Sequence, residues 1–223
     1  WVYRSGELES KPVILYEFQK TRKKEHAREF LKDFSGICVT DGYQLYHSIA
    51  DEREDLTISG CWSHARRGFA DVVKAAGKKA LNIRESVAYK SLQLIQTISR
   101  CEEKFAKLEP AERLEARIHH ILPLADAFFA YLKSKEGSVA PKSATGKAIS
   151  YCLNQEAFLR VFLTDGYVPM TNNAAERSIR PFTVGRNNWF QIDTVSGAKA
   201  SAIAYSIAET AKANQLKPYE YFR

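Results

Sequence analysis

The sequence has no CxxC pair. Its four cysteines, Cys38, Cys61, Cys101 and Cys152, are scattered singly along the chain, which argues against a disulfide framework and for a reducing, cytosolic setting. No uncharged apolar run approaches the ~20 residues of a membrane span, and no secretory leader is present. A P-loop, a dinucleotide fingerprint and a nucleophile elbow are all missing, so neither a classical hydrolase triad nor a kinase is in view. The chain also opens without an initiator Met, directly in the strand-like WVYRS, and is expected to be part of something longer.

What is present is a chain of 223 residues, 45% of them apolar. That is enough for one large domain, or for one domain carrying an insertion. Lys and Arg outnumber Asp and Glu by 33 to 26, for a net charge of +7; this favours an anionic partner such as nucleic acid or phosphate.

WVYRSGELESKPVILYEF reads as a hairpin, two β-rich runs around a charged, Gly-containing turn. In KEHAREFLKDF, Ala27, Phe30, Leu31 and Phe34 recur at helical spacing. GICVTDG is a short apolar strand ending at Asp41-Gly42, YQLYHSIA a helix and LTISGCW a further strand. Strand, strand, helix, strand, helix, strand is a layered core containing both element types. The character then changes. SHARRGFADVVKAAG is a helix with Gly77 as its stop. The runs from Val87 to Leu108 and from Leu114 to Leu132 follow three-four spacing, with Pro110 in the first turn of the second. They predict an antiparallel helical hairpin. A third helix is expected from about Thr145 to Leu163, then a loop, TDGYVPMTNN, and later an Ala-rich helix, AKASAIAYSIAETAKANQL.

Three places carry candidate chemistry. Asp41 ends an apolar strand, which puts a carboxylate on a sheet rim or makes it an Asx turn that starts the next helix. In TNNAAERSIRP, Asn173-x-x-Glu176 has capping-box spacing, and Glu176 and Arg180 are four apart, an ordinary helix ion pair. Pro181 would keep that helix barely two turns long. Its arginines Arg177 and Arg180, followed by Arg186, Asn187, Asn188 and Trp189 in a predicted strand or extended loop, GRNNWFQID, make a basic, amide-rich, aromatic strip free of acids up to Ile192. Such a strip suits phosphate contacts with base or sugar packing. Cys61 and His64 have zinc-ligand spacing without a second such pair, and a buried thiol beside a helix-start histidine accounts for them as well.

TDGYQLY at Asp41, GCWSHARRGF at Cys61, PMTNNAAERSIRPFTVGRNNWF around Glu176 and the final SAIAYSIAETAKANQLKPYEYF together resemble the insertion-sequence-66 family of bacterial transposases. The resemblance covers most of the chain and is weakest from about Gly77 to Lys142. It implies a DDE-type catalytic domain of the α/β class: a ribonuclease-H-like mixed sheet flanked by helices and interrupted by a helical insertion. Residues 1–62 and 164–223 would form that core, and residues 63–163 the insertion. In such proteins two aspartates and a glutamate hold two magnesium ions, or manganese in substitution. Asp41 matches the second aspartate and Glu176 the glutamate; the first aspartate falls upstream of WVYRS, so this stretch alone is expected to be inactive. Asn172 or Asn173 would cap the helix and leave Glu176 free, while Cys61 and His64 match a feature of structural or accessory character. The implied partners are DNA, as transposon ends and target, and further copies of the chain in a synaptic complex. The implied location is the bacterial cytoplasm, at the nucleoid when bound to DNA, with no membrane contact. A remnant that binds DNA without cutting it, and a ribonuclease-H-like nuclease without strand transfer, are the competing readings.

Overall fold

The computed structural model describes residues 1–77, 82–186 and 192–223. The protein is mixed α/β, mostly helical, with two small sheets among the described residues. Its chain divides into two compact units, residues 1–33 with 172–223, and residues 34–171. Among the described residues no helix is long and apolar enough to cross a membrane.

The first unit holds the predicted hairpin. Strands β1 (Val2–Arg4) and β2 (Ile14–Tyr16) pair antiparallel, Val2 opposite Tyr16 and Arg4 opposite Ile14. Helix α1 (Lys24–Leu31) follows, and its Phe30 stacks on Tyr3 at 3.5 Å between ring centroids. Val13 and Glu17 bond back to the first strand's side of the hairpin, which turns the backbone of Ile14 and Tyr16 outward. That outer edge meets the Ala-rich helix, Val195–Ala213. Thr210 accepts from the Ile14 N–H and donates to its carbonyl, both at 3.0 Å; Ser206 accepts from the Tyr16 N–H at 2.8 Å; Asn214 donates to the Pro12 carbonyl at 2.8 Å. Residues two apart on a strand repeat every ~6.7 Å and residues four apart on a helix every ~6 Å, so a Ser-Thr-Asn stripe can track one strand edge.

The second unit begins with β3 (Gly36–Val39), α2 (Gln44–Ala50) and β4 (Leu56–Ser59). The two strands are parallel, Gly36 opposite Leu56 and Val39 opposite Ser59. Among the described residues the helices that follow are α3 (Trp62–Ala76), α4 (Val87–Phe105), α5 (Pro110–Ala116), α6 (Leu122–Glu136), α7 (Ala144–Asn154) and α8 (Glu156–Arg160). Gly77 ends α3 at φ +75°, a conformation that favours glycine. Trp62 is buried against Phe128, Phe129 and Phe162, and its indole N–H donates to the Leu159 carbonyl at 2.8 Å. These rings, with Phe69, Ile95, Ile98, Ile121 and Leu132, form the main core.

Among the described residues the strands make two two-stranded pairs, β1–β2 antiparallel and β3–β4 parallel, and helix hydroxyls occupy the outer edge of β2. Two expectations about the helices need correction. The second arm of the helical hairpin is broken by a π-turn over Arg117–Ile121. Pro123 is the reason: it lacks the N–H that would bond the His119 carbonyl, and its ring crowds that carbonyl, so the helix widens before continuing. The third helix ends at Asn154, and α8 and a 3-10 turn (Val161–Leu163) complete the stretch. The helix before Pro181 is as short as expected, and the chain enters another helix directly after it. A six-residue α9 (Asn173–Ser178) is followed by α10 (Arg180–Arg186), where Pro181 occupies the first turn, the position at which a missing N–H costs nothing. The last two helices are α11 (Val195–Ala213) and α12 (Pro218–Phe222).

Candidate functional site

Asp41 sits just beyond the carboxyl end of β3, the end at which open α/β folds place their ligands. Thr40 extends the strand by one further bond, its N–H donating to Ser59 at 2.9 Å. The chain then turns through Gly42 at φ +83°, and the Tyr43 N–H donates to Asp41 Oδ1 at 3.1 Å. The Asx turn is therefore real. It uses one oxygen of an exposed carboxylate; among the described residues Oδ2 accepts no hydrogen bond. Rim carboxylate and turn former coexist in one side chain.

Tyr151 of α7 and Gln155, the residue that caps its end, cover this turn, and sequence reading did not single them out. The Tyr151 hydroxyl lies 3.5 Å from the Asp41 carbonyl. A Cβ on Gly42 would come within 2.9 Å of that hydroxyl and 3.4 Å of Gln155 Oε1, so glycine is needed here for space as well as for φ. Burial pushes the Tyr151 phenol up to about 12, helped by Cys152, Cys61 and the Asp41 charge and opposed by Arg67. The signal was a pair of polar-tipped residues four apart in a helix otherwise facing the core. Beneath the turn His47 is buried, its ring 4.0 Å from Phe158. Burial lowers its pKa, against the opposing charge of Asp51.

At the end of the parallel neighbour β4, Cys61 is fully buried and takes the N-cap position of α3 with extended backbone, its carbonyl accepting from the His64 N–H at 3.1 Å. His64 lies in the first helical turn and is half-buried. Among the described residues no group of three or more His, Cys, Asp or Glu side chains gathers where a metal ion would sit. The other thiols nearby are held protonated by burial, Cys38 near 11 and Cys152 near 12.

Glu176 belongs to the other unit, on α9. The capping reading of this motif needs correcting. Asn172 is the N-cap, its carbonyl accepting from the Glu176 N–H at 3.1 Å, so Asn173 is the first helical residue and Glu176 the fourth, one place past the capping-box position. Asn172 makes no side-chain cap bond, because its φ −89° and ψ 17° are not the extended conformation that turns a cap side chain onto the helix N–H groups. The helix is held from beneath instead: Ala174 and Ser178 are buried, and the Tyr16 hydroxyl donates to the Ser178 carbonyl. Arg177 and Arg180 are exposed. Arg186 closes α10, and Asn187, Asn188 and Trp189 lie outside the described residues.

The family described as "Transposase IS66 family" matches residues 1–200. Among curated proteins, the chain is similar to uncharacterized protein y4qI of Sinorhizobium fredii strain NGR234, 30% identical over 95% of this chain and 39% of the relative. It is also similar to uncharacterized protein y4jD of the same strain, 29% identical over 94% of this chain and 41% of the relative. The chain thus spans about two fifths of the length of these relatives. No solved structure matches it significantly.

Proposed function

The chain belongs to the IS66 family of transposases, and we propose that it is the greater part of a DDE-type catalytic domain with a ribonuclease-H-like core, which cleaves and joins DNA strands. The observation that carries this reading is Asp41, an exposed carboxylate with one open oxygen at the carboxyl end of a parallel strand. An open oxygen of this kind fits a hard divalent cation. Glu176, displaced from the capping position, is the second oxygen ligand, and these two would hold magnesium or manganese. When bound, such ions activate the attacking oxygen and stabilise the leaving one.

In the reaction proposed, water attacks a phosphodiester at a transposon end and breaks its bond to the 3′ oxygen, leaving a free 3′ hydroxyl. That hydroxyl then attacks a phosphodiester of target DNA, and the target's own 3′ oxygen leaves. The chain's part is to hold the phosphate in line and to offset its charge, which the exposed guanidinium groups of Arg177 and Arg180 suit. The substrate is DNA, the working state is an assembly of several copies, and the setting is the bacterial cytoplasm.

The test uses protein of the relatives' full length and DNA carrying the element's terminal repeats. Asp41→Asn and Glu176→Gln should each abolish end cleavage while leaving DNA binding intact. Wild-type cleavage by either variant would remove that residue from the site. A wild-type protein that binds ends and never cuts them would favour the non-catalytic remnant, and one that cuts without joining a precleaved end would favour a nuclease.

A further inference from the structure

Between α3 and α7, wholly within the unit of residues 34–171, runs a groove of about 570 Å³. Its floor is made of small residues. Gly68 faces Ala148 so closely that a Cβ on Gly68 would stand 2.9 Å from the Ala148 Cβ. Its walls carry Arg67 from α3 and Lys147 from α7, both exposed, and among the described residues neither is paired with a carboxylate. One acid, Asp71, lines it. Tyr151 also lines it, and its hydroxyl lies 3.5 Å from the backbone carbonyl of Asp41, so the groove borders the turn that carries the carboxylate assigned above.

Resting on the transposase reading, we infer that this groove is the track for the sugar–phosphate backbone of a single DNA strand running to or from the bond at Asp41. Charge complementarity selects the occupant. Two unpaired cations on opposing walls suit successive phosphates, while an apolar floor suits the deoxyribose faces between them. Arg66, the immediate neighbour of Arg67, is equally exposed but does not line the groove, and it provides an internal control.

The experiment is fluorescence anisotropy of this chain with a labelled single-stranded oligonucleotide across a salt series. The double variant Arg67→Ala, Lys147→Ala should weaken binding by about tenfold at low salt. It should also flatten the slope of log K against log salt by about 1.4, at ~0.7 for each single-strand phosphate no longer neutralised. Asp71→Asn should tighten binding, and Arg66→Ala should change neither quantity. Binding by the wild-type chain that the double variant reproduces in affinity and slope overturns the groove alone, leaving Asp41 and Glu176 untouched. A loss equal in Arg66→Ala and in the double variant overturns it too, since net charge would then explain the binding. Failure of the wild-type chain to bind DNA at all counts against both readings, whereas Asp41→Asn in the cleavage assay tests the catalytic reading independently.

Discussion

The two units keep their strands in place by different means. In residues 34–171 the work is done by large apolar side chains: Trp62, Phe69, Phe128, Phe129 and Phe162 are all at most 1% exposed and touch ring to ring. In residues 1–33 with 172–223 the buried cluster is small, Ile14, Tyr16 and Ala202, with Phe182 and Tyr205 half-buried around it. There the hairpin is tied down by hydroxyls and an amide from α11 instead of by bulk. Hydrophobic burial scales with apolar area, whereas a hydrogen bond adds little net but is costly to leave unmade. The unit of residues 34–171 should therefore resist unfolding through its core, and the unit of residues 1–33 with 172–223 through the completeness of its polar pairing.

The largest effect expected is at Phe128. Truncating this fully buried ring with Phe128→Ala should cost about 3–5 kcal/mol, read as a fall in denaturant midpoint. Phe182→Ala, in the small cluster, should cost only about 1–2 kcal/mol, because the ring is half exposed and buries less area. Equal costs would break the contrast between the units. A close second is Arg117→Met. Arg117 is wholly buried, bonded to Glu102 at 2.9 and 2.5 Å and to the Phe162 and Asp165 carbonyls at 2.7 Å each. Removing it strands a carboxylate and two carbonyls, a loss of about 3–5 kcal/mol. Exchanging Glu102→Gln in the same chain should recover part of that loss, and no recovery would mean that the carbonyls, not the charge, set the cost.

How much of this was legible in the sequence divides along the same line. The hairpin, α1, the β3–α2–β4 unit and the helix ended by Gly77 follow from period and punctuation, because each buries one face in a pattern that needs no distant partner to be recognised. Asp41 was legible as both turn former and rim carboxylate, and both hold. The Ser206-Thr210-Asn214 stripe was not, since three polar residues at four-residue spacing on an Ala-rich helix read as a solvated face until β2 is laid beside them. The π-turn escaped because the apolar spacing continues across Pro123, and periodicity outweighed the missing N–H. The cover over Asp41 by Tyr151 and Gln155 joins residues 110 and more apart in sequence, which no local pattern encodes.

The stripe gives the next prediction. Ser206→Ala with Thr210→Val removes the acceptors of the Ile14 and Tyr16 N–H groups and should cost about 1–3 kcal/mol. Hydrogen exchange at those two amides should accelerate while the Leu15 amide, which faces β1, stays protected. Uniform acceleration across the hairpin would mean that the helix merely packs on the strand. A smaller loss, about 1–2 kcal/mol, is expected from Gly42→Ala, which meets both a positive φ and the Tyr151 hydroxyl. If the second contact matters, Tyr151→Phe in the same chain relieves part of it.

The smallest effect compares one phenol from each unit. Tyr16 and Tyr151 are both pushed up to about 12 by burial, against about 10 for tyrosine in an unfolded chain. Glu209 and Tyr205 add to the shift at Tyr16, while Cys152, Cys61 and Asp41 add to it at Tyr151 and Arg67 opposes it. The sign follows from proton binding. Between pH 10 and 12 the unfolded chain releases protons that the folded chain keeps, so stability is intact below pH 10 and declines as pH rises toward 12. At neutral pH Tyr151→Phe should shift stability by no more than about 0.5 kcal/mol, since its hydroxyl makes one long bond of 3.5 Å. Tyr16→Phe, which unpairs the buried Ser178 carbonyl, should cost about 1 kcal/mol. In alkali each variant should lose its own share of the decline, and phenolate absorbance should show one fewer late-titrating group. A decline unchanged in both variants would place its origin in other groups and leave the two phenols protonated for reasons of access alone.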